Sequence, residues 1–243
     1  MESTIARRRL APALHGLGIC ALIGAGTTFL NTILPRFYSA TGFDERMALI
    51  HNPFYALRQW VLLVHPAFTL LAALGLAMAL WQRAPGRSAT GLLFAFVEKM
   101  TEFWLGTIIL FVVNGMWKAR YLAAPDAAVA APLRAQIETF GDILGGIYFL
   151  LWAMFIVSTA LFASALSARV GLEKWIVATA AVMIALTLLM IAGQYAGQAR
   201  WTEPIIRWAY SPALTVHRLI IGIWLIREAR ALSTSAGISS DQA

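Results

Sequence analysis

The chain has 243 residues, of which 60% are hydrophobic and only 13% charged, with a formal net charge of +7 and a mean hydropathy of +0.71. A soluble domain carries about 25% charged residues, so this composition excludes a water-soluble core of this size and points to a polytopic membrane protein in one domain. The basic residues stand in short clusters beside apolar runs, where they set topology and meet anionic headgroups, which excludes a nucleic-acid partner as the meaning of the positive balance.

The first apolar run follows Arg7, Arg8 and Arg9. No small-residue cleavage site closes it and further spans follow, so it predicts a retained first helix over 13–34 and not a removed signal. Gly16, Gly18, Gly24 and Gly26 thin this helix, and small residues let helix backbones approach closely. Cys20, the only cysteine, supplies neither an intramolecular disulfide nor a metal cluster and reads as a small buried hydrophobe. A loop of amphipathic character follows, in which His51-Asn52-Pro53-Phe54 reads as a turn ahead of the next span.

The second span, 59–81, is the clearest. Trp60 and Trp81 bracket twenty residues without a charged side chain, enough for a helix rising about 30 Å, the thickness of a bilayer's hydrocarbon core, with the tryptophans in the interfacial belts. A third span covers 91–117. The long loop after it, APDAAVAAPLRAQIETFGD, is expected to hold a helical turn or two, and Asp142, after Gly141, reads as an acidic residue in the first turn of the fourth span, 139–166. The fifth span is 175–196, ending on the small-residue step Gly193–Gly197, which offers a packing face within the chain or toward another copy, so the oligomeric state is open. The sequence WTEPIIRWAYSP is expected at the interface, and a sixth span covers 211–228. The fold class is therefore all-α, a single bundle of six transmembrane helices.

Lys and Arg set the orientation. Arg7, Arg8, Arg9, Arg83, Arg87, Arg169, Lys174, Arg227 and Arg230 fall on one side. Arg36, Arg46, Arg58, Lys118, Arg120, Arg134, Arg200 and Arg207 fall on the other. The totals nearly match, but the first set sits in shorter segments close to the helix ends. Both termini are expected in the cytoplasm, at the inner membrane of a bacterial cell.

Ionisable groups at membrane depth are costly, and each needs a partner or a watery cavity. In the third span Glu98 and Glu102 are four apart and share a face, and Lys99, three before Glu102, also reaches it. Arg218 stands near the midpoint of the sixth span at the depth of Glu102. If the two spans are neighbours, Glu102 and Arg218 form a buried ion pair, with Glu98 and Lys99 beside it. The reading with the greatest weight is structural glue between helices. The functional reading makes Glu98 and Glu102 catalytic or proton-transferring acids, with Lys99, Asn114 and Arg218 binding a substrate. His65 and His217 also match in depth and could ligate a haem iron axially. The plainer account of His65 is that it helps to satisfy the backbone where Pro66 removes a hydrogen bond and frees the carbonyl of Leu62. Asn114, Asp142, Gln194 and Gln198, with the two histidines, could line a polar cup or stand at headgroup level. No metal-ligand motif, nucleotide loop or nucleophile elbow is present, and His15 and His51 are not spaced with other ligands.

A third span with an acidic residue in its first half (LFAFVEKMTEFWLGTIIL), a long loop after it and a closing HRLIIGIWLIREAR together make a chain that resembles a family of bacterial six-helix integral membrane proteins, the 4386-type domain of unknown function. The resemblance covers most of the chain, rests on architecture, and implies the six-helix fold without assigning any activity or residue. The leading expectation is a protein that binds or transports a small or lipidic molecule in an intramembrane cavity centred on Glu102 and Arg218. The runner-up is a membrane enzyme of isomerase or cyclase type with Glu98 or Glu102 as general acid. The third is a haem-binding membrane cytochrome. No cofactor is the leading expectation. The partners expected are the bilayer and a small apolar or lipidic ligand.

Overall fold

The computed structural model describes residues 2–195 and 205–238, and every described element is helical. Helix α1 (Glu2–Ile33) runs into a 3-10 turn (Leu34–Phe37). The short α2 (Phe43–Ala48) and a second 3-10 turn (Leu49–His51) lead to α3 (Pro53–Leu80). Helix α4 (Pro85–Thr107) continues without a break through a π-helical stretch (Ile108–Lys118) into α5 (Ala119–Leu122). The long α6 (Ala127–Ala165), α7 (Glu173–Tyr195), a π-helical stretch (Ile206–Tyr210) and α8 (Ser211–Ile238) complete the chain. Five helices are long and apolar enough to cross a membrane: Leu10–Phe37, Pro53–Leu80, Ala127–Ala165, Glu173–Tyr195 and Trp208–Thr234.

Local chemistry sets where the helices start. Asn52 caps α3: its backbone is extended, its Oδ1 accepts from Phe54 N (2.9 Å) and Tyr55 N (3.1 Å), and Pro53 occupies the first helical position, where a missing N–H costs nothing. The expected turn at 51–54 is therefore the start of the helix itself, ahead of the expected boundary at 59. Asp126 caps α6 by accepting from Val129 N (3.0 Å). The loop expected after the third span is thus helix from Ala127 onward, with Pro132 tolerated in its second turn. Asp142 lies exposed in mid-helix and begins nothing. In α2, Glu45 accepts from the N–H and hydroxyl of Thr41 (2.7 and 2.9 Å), which holds its carboxyl below its ordinary pKa.

The six long helices pack as a closed ring in the order α1, α3, α4, α6, α7, α8 and back to α1, with α3 also leaning across to α8. Successive members run antiparallel, so the start of α1 and the end of α8 lie at one end of the ring. That end is solid. Leu14, Leu76, Leu80, Phe162, Ile176 and Leu225 meet there in one apolar cluster, and Leu80 and Leu225 have no exposed surface. The α1–α8 contact is the closest. A Cβ on Gly222 would stand 2.7 Å from Leu22 Cδ2 and 3.1 Å from the carbonyl of Gly18, and one on Gly18 would stand 2.7 Å from Ile226 Cγ1. Of the glycines that thin the first span, Gly16 and Gly26 face open space. Cys20 is only half-buried. Gly197 and Gln198 lie outside the described residues.

A polar clamp joins the two connections at the solid end. Arg83 donates to Glu173 Oε1 (2.5 Å), Ser167 N donates to Glu173 Oε2 (2.7 Å), and Arg87 donates to the carbonyl of Ser164 (2.6 Å). Around the outside of the ring, large apolar side chains are exposed on every long helix, among them Ile23, Trp60, Leu93, Trp104, Phe149, Leu189 and Ile223. Trp60, two turns inside the start of α3, and Trp81, just past its end, are both about half exposed (51% and 49%).

Two stability outcomes follow from this packing. Gly222→Leu should lower detergent-solubilised stability by about 2 kcal/mol, because the side chain meets Leu22 and the α1 backbone, whereas Gly16→Leu should leave the melting temperature unchanged. Glu173→Gln should cost about 1–3 kcal/mol by weakening charged hydrogen bonds on both of its oxygens, read as a drop in thermal midpoint by size-exclusion after heating.

Candidate functional site

The opposite end of the ring is open. A cavity of about 940 Å³ descends from a mouth at Arg36, Tyr38, Arg58 and Gln194 to a floor formed by His65, Glu98, Lys99, Glu102 and Arg218. A smaller pocket of about 80 Å³, lined mainly by Ala, Leu, Phe and Ile, lies on the other side of that floor and shares Glu98, Lys99 and Arg218 with it; His217 also lines it. The ionic residues therefore form a layer about halfway along the helices, between a large open chamber and a small apolar one.

Helix geometry assembles one half of the layer. Residues 98 and 102 are one turn apart on α4, and the flexible Lys99 stem lets Nζ sit between their carboxylates, donating to Glu98 Oε1 at 2.5 Å and to Glu102 Oε2 at 2.9 Å. Glu98 and Lys99 are both buried (7% exposed). A charge in this position is tolerated because it is paired. The Lys99–Glu102 contact is as the sequence suggests, and the structure adds the bond from Lys99 to its neighbour Glu98.

The other half is a directional chain of hydrogen bonds. One guanidinium nitrogen of Arg218, NH1, donates to Thr28 Oγ1 and to His65 Nε2, the latter at 2.7 Å. A guanidinium has no acceptor, so His65 Nε2 must be the accepting nitrogen and the ring proton sits on Nδ1. Nδ1 lies 2.6 Å from Thr27 Oγ1, and Thr27 in turn donates to the carbonyl of Gly24 at 2.9 Å. Thr28 donates to that same carbonyl at 2.7 Å. Thr28 on α1 and the imidazole on α3 thus grip a guanidinium on α8, and the adjacent Thr27 holds the imidazole. The threonines escaped the sequence analysis, although a depth comparison of the kind applied to His65 would have found them.

The expected ion pair between Glu102 and Arg218 is not made: no described ion pair within 4.0 Å joins them. The expectation required α4 and α8 to be neighbours, and the ring places them opposite each other, separated by two helices on either side. The two charges face one chamber across its width. His65 also departs from expectation, turning to Arg218 and Thr27 and not to the backbone at Pro66. Both of its ring nitrogens are engaged, which leaves no lone pair for an iron, so the His65–His217 arrangement does not fit axial haem ligation. His217 Nδ1 lies 2.7 Å from Thr179 Oγ1, whose hydroxyl also points to the carbonyl of Trp175 (2.8 Å).

Asn114 is not brought to the site. It lies on the π-helical stretch and lines neither cavity. Its Oδ1 accepts from Tyr55 OH (3.1 Å), which accepts from the buried Lys118 (2.9 Å), so it ties α3 to the end of the α4 rod. Of the expected polar cup, Gln194 and His65 line the large cavity, Asp142 faces outward, and His217 lines the small pocket. Among the described residues, no cluster of His, Cys, Asp or Glu could hold a metal ion. No family model, curated protein or solved structure matches the chain.

The ionic trio makes a sharp prediction. Lys99→Met alone leaves two carboxylates in apolar surroundings and should cost about 3–5 kcal/mol, with loss of folded yield. Adding Glu98→Gln and Glu102→Gln to it removes both charges and should restore most of the yield, checked by fluorescence-detected size exclusion.

Proposed function

We propose that the chain is a six-span membrane protein that binds a small or lipidic molecule in the large cavity, in the manner of a transport protein. The sixth span is α4 with its π-helical continuation. It runs antiparallel to its ring neighbours like the other five, and it carries Glu98, Lys99 and Glu102, which line the cavity. In this reading the solid end, with Arg83, Arg87, Arg169 and Lys174 beside it, faces the cytoplasm of a bacterial cell and holds both termini, and the mouth opens outward. The likeness to the bacterial six-helix family of unknown function belongs to the same proposal.

The observation that carries the reading is the chamber of about 940 Å³ with an ionic floor halfway along apolar helices. Ligand sites of small molecules are concave, largely apolar and furnished with a few placed polar groups, with volumes of about 300–1,000 Å³. Leu62, Leu105, Leu151, Phe155 and Leu214 supply the apolar wall, and the layer supplies the polar groups. The layer also separates two chambers, which is the position of the closed gate in an alternating-access protein, with the site near the midplane.

Thiol labelling tests this reading. In a Cys20→Ser background, Ile109→Cys and Leu62→Cys should react with a membrane-impermeant reagent added from the mouth side. Trp104→Cys, on the exposed outer face of α4, should not react. Absence of labelling at both cavity positions, in folded protein, would remove the water-accessible chamber and the binding function with it.

A further inference from the structure

We propose that the cavity takes a zwitterionic group, an ammonium joined to an anionic oxygen group, with the anion on Arg218 and the ammonium on Glu102. The proposal rests on the binding reading above and names its ligand class.

Arg218 is held yet incompletely used. Thr28 and His65 both bind its NH1. Among the described residues its Nε and NH2 have no hydrogen-bond partner, and neither is among the buried unpartnered atoms, so this edge of the guanidinium keeps accessible surface where Arg218 lines the large cavity and the small pocket beside it. The Nε–NH2 edge is the fork that matches two oxygens of a carboxylate or a phosphate. The two groups on NH1 fix the plane of the fork without occupying it.

Glu102 is the counterpart on the opposite wall. Its Oε2 accepts from Lys99 while Oε1 has no described partner, and its side chain keeps 25% of its surface exposed. A cation and an anion thus face one chamber, each with hydrogen-bonding capacity left, and they do not neutralise each other directly.

Charge bookkeeping selects the ligand. Glu98 and Glu102 balance Lys99 and Arg218, and His65, an acceptor from Arg218, is the neutral ring, so the layer is formally neutral. A lone anion or a lone cation would leave it charged in apolar surroundings, which is costly. A zwitterion leaves the sum at zero and satisfies both walls. Arg36 and Arg58 at the mouth favour entry of the anionic end first. The same chemistry belongs to a phosphoethanolamine headgroup and to a free amino acid.

The full-length protein, purified in maltoside detergent, is titrated with lauroyl lysophosphatidylethanolamine, lauric acid and dodecylamine, of matched chain length, and separately with L-leucine, by microscale thermophoresis. Lysophosphatidylethanolamine or leucine should bind, and the lysolipid, if it binds, should do so about tenfold more tightly than either singly charged amphiphile, a difference of about 1.4 kcal/mol. Binding of the lysolipid without leucine assigns a lipid headgroup, and leucine without the lysolipid assigns a water-soluble zwitterion; both support the proposal. Arg218→Lys keeps the charge and loses the fork, and should weaken the bound zwitterion about tenfold. Thr28→Val, which frees the fork to rotate, provides the same reading severalfold weaker if Arg218→Lys does not fold. Glu102→Gln should abolish the preference over lauric acid, or weaken leucine about tenfold where leucine is the ligand. Equal binding of lauric acid or dodecylamine by the unaltered protein, a Glu102→Gln variant that changes neither preference nor affinity, or binding of neither zwitterion would overturn the proposal. The Ile109→Cys and Leu62→Cys labelling is independent of the ligand's charge, so a labelled but zwitterion-blind protein would keep the binding reading and lose only this one.

Discussion

Four formal charges at mid-height of an apolar ring are the constraint on which this structure turns. Such groups must be paired, hydrogen-bonded or wet, because an isolated ion in a medium of low polarity is unaffordable. The chain uses all three solutions in one layer. Lys99 sits between two carboxylates of its own helix, a local solution that needs no partner helix. Arg218 is gripped by neutral acceptors from α1 and α3. The remaining edges of both groups open on the cavity. Each half of the layer can stand without the other, and that independence lets a chamber persist between them.

The two ends of the ring differ for reasons that can be traced to particular residues. At the solid end, Gly18 and Gly222 bring α1 and α8 into close approach, a Cβ on Gly91 would press to 3.3 Å on the ring of Phe162, and Ser158 donates to the carbonyl of Gly91 (3.0 Å). The Arg83–Glu173 clamp ties the connections there. At the open end the rods are irregular. Pro35 and Arg36 lie in a 3-10 turn, and both π-helical stretches border the chamber through Ile109, Ile206 and Tyr210. A π-helical turn widens the backbone spiral and is commonly found at functional sites. Tight small-residue packing below and irregular helix above hold the bundle closed at one end and splayed at the other.

Much of this was legible in the sequence, and the failures have a single cause. Hydropathy and the Trp60–Trp81 bracket locate the long helices because they are properties of one segment at a time. The Lys99–Glu102 pair is legible for the same reason, since one turn of helix decides whether Lys99 can reach Glu102. Asn52 and Pro53 mark a helix start that the apolar pattern alone set six residues later. The start of α6 was missed because its first turns are Ala-rich and contain Pro132, which hid the cap at Asp126 behind a loop-like composition. What no single segment carries is the order of helices around the ring. Depth along the helices suggested that Glu102 and Arg218 share a level, and both line one cavity. Azimuth, which decides whether they touch, depends on the packing of Gly18 against Gly222 and of Gly91 against Phe162, and these contacts give α4 and α8 opposite places.

The choice of partner for Arg218 follows from that azimuth. A carboxylate on the Nε–NH2 edge would have cancelled the guanidinium's charge and filled its fork, giving a stable strut between helices. Thr27, Thr28 and His65 instead supply hydrogen bonds with no net charge, and every proton in the chain from Arg218 to the Gly24 carbonyl has one direction. The guanidinium is thereby oriented while its charge stays uncancelled at short range. In the proposed binding function, neutral acceptors that position a cation facing a cavity pre-organise it for an anionic group, since the orientation is set before any ligand arrives. The same reasoning applies across the chamber, where Lys99 orients the Glu102 carboxylate through one oxygen and leaves the other open. A direct Glu102–Arg218 bridge would have served a purely structural layer, and its absence supports the proposed binding site between them.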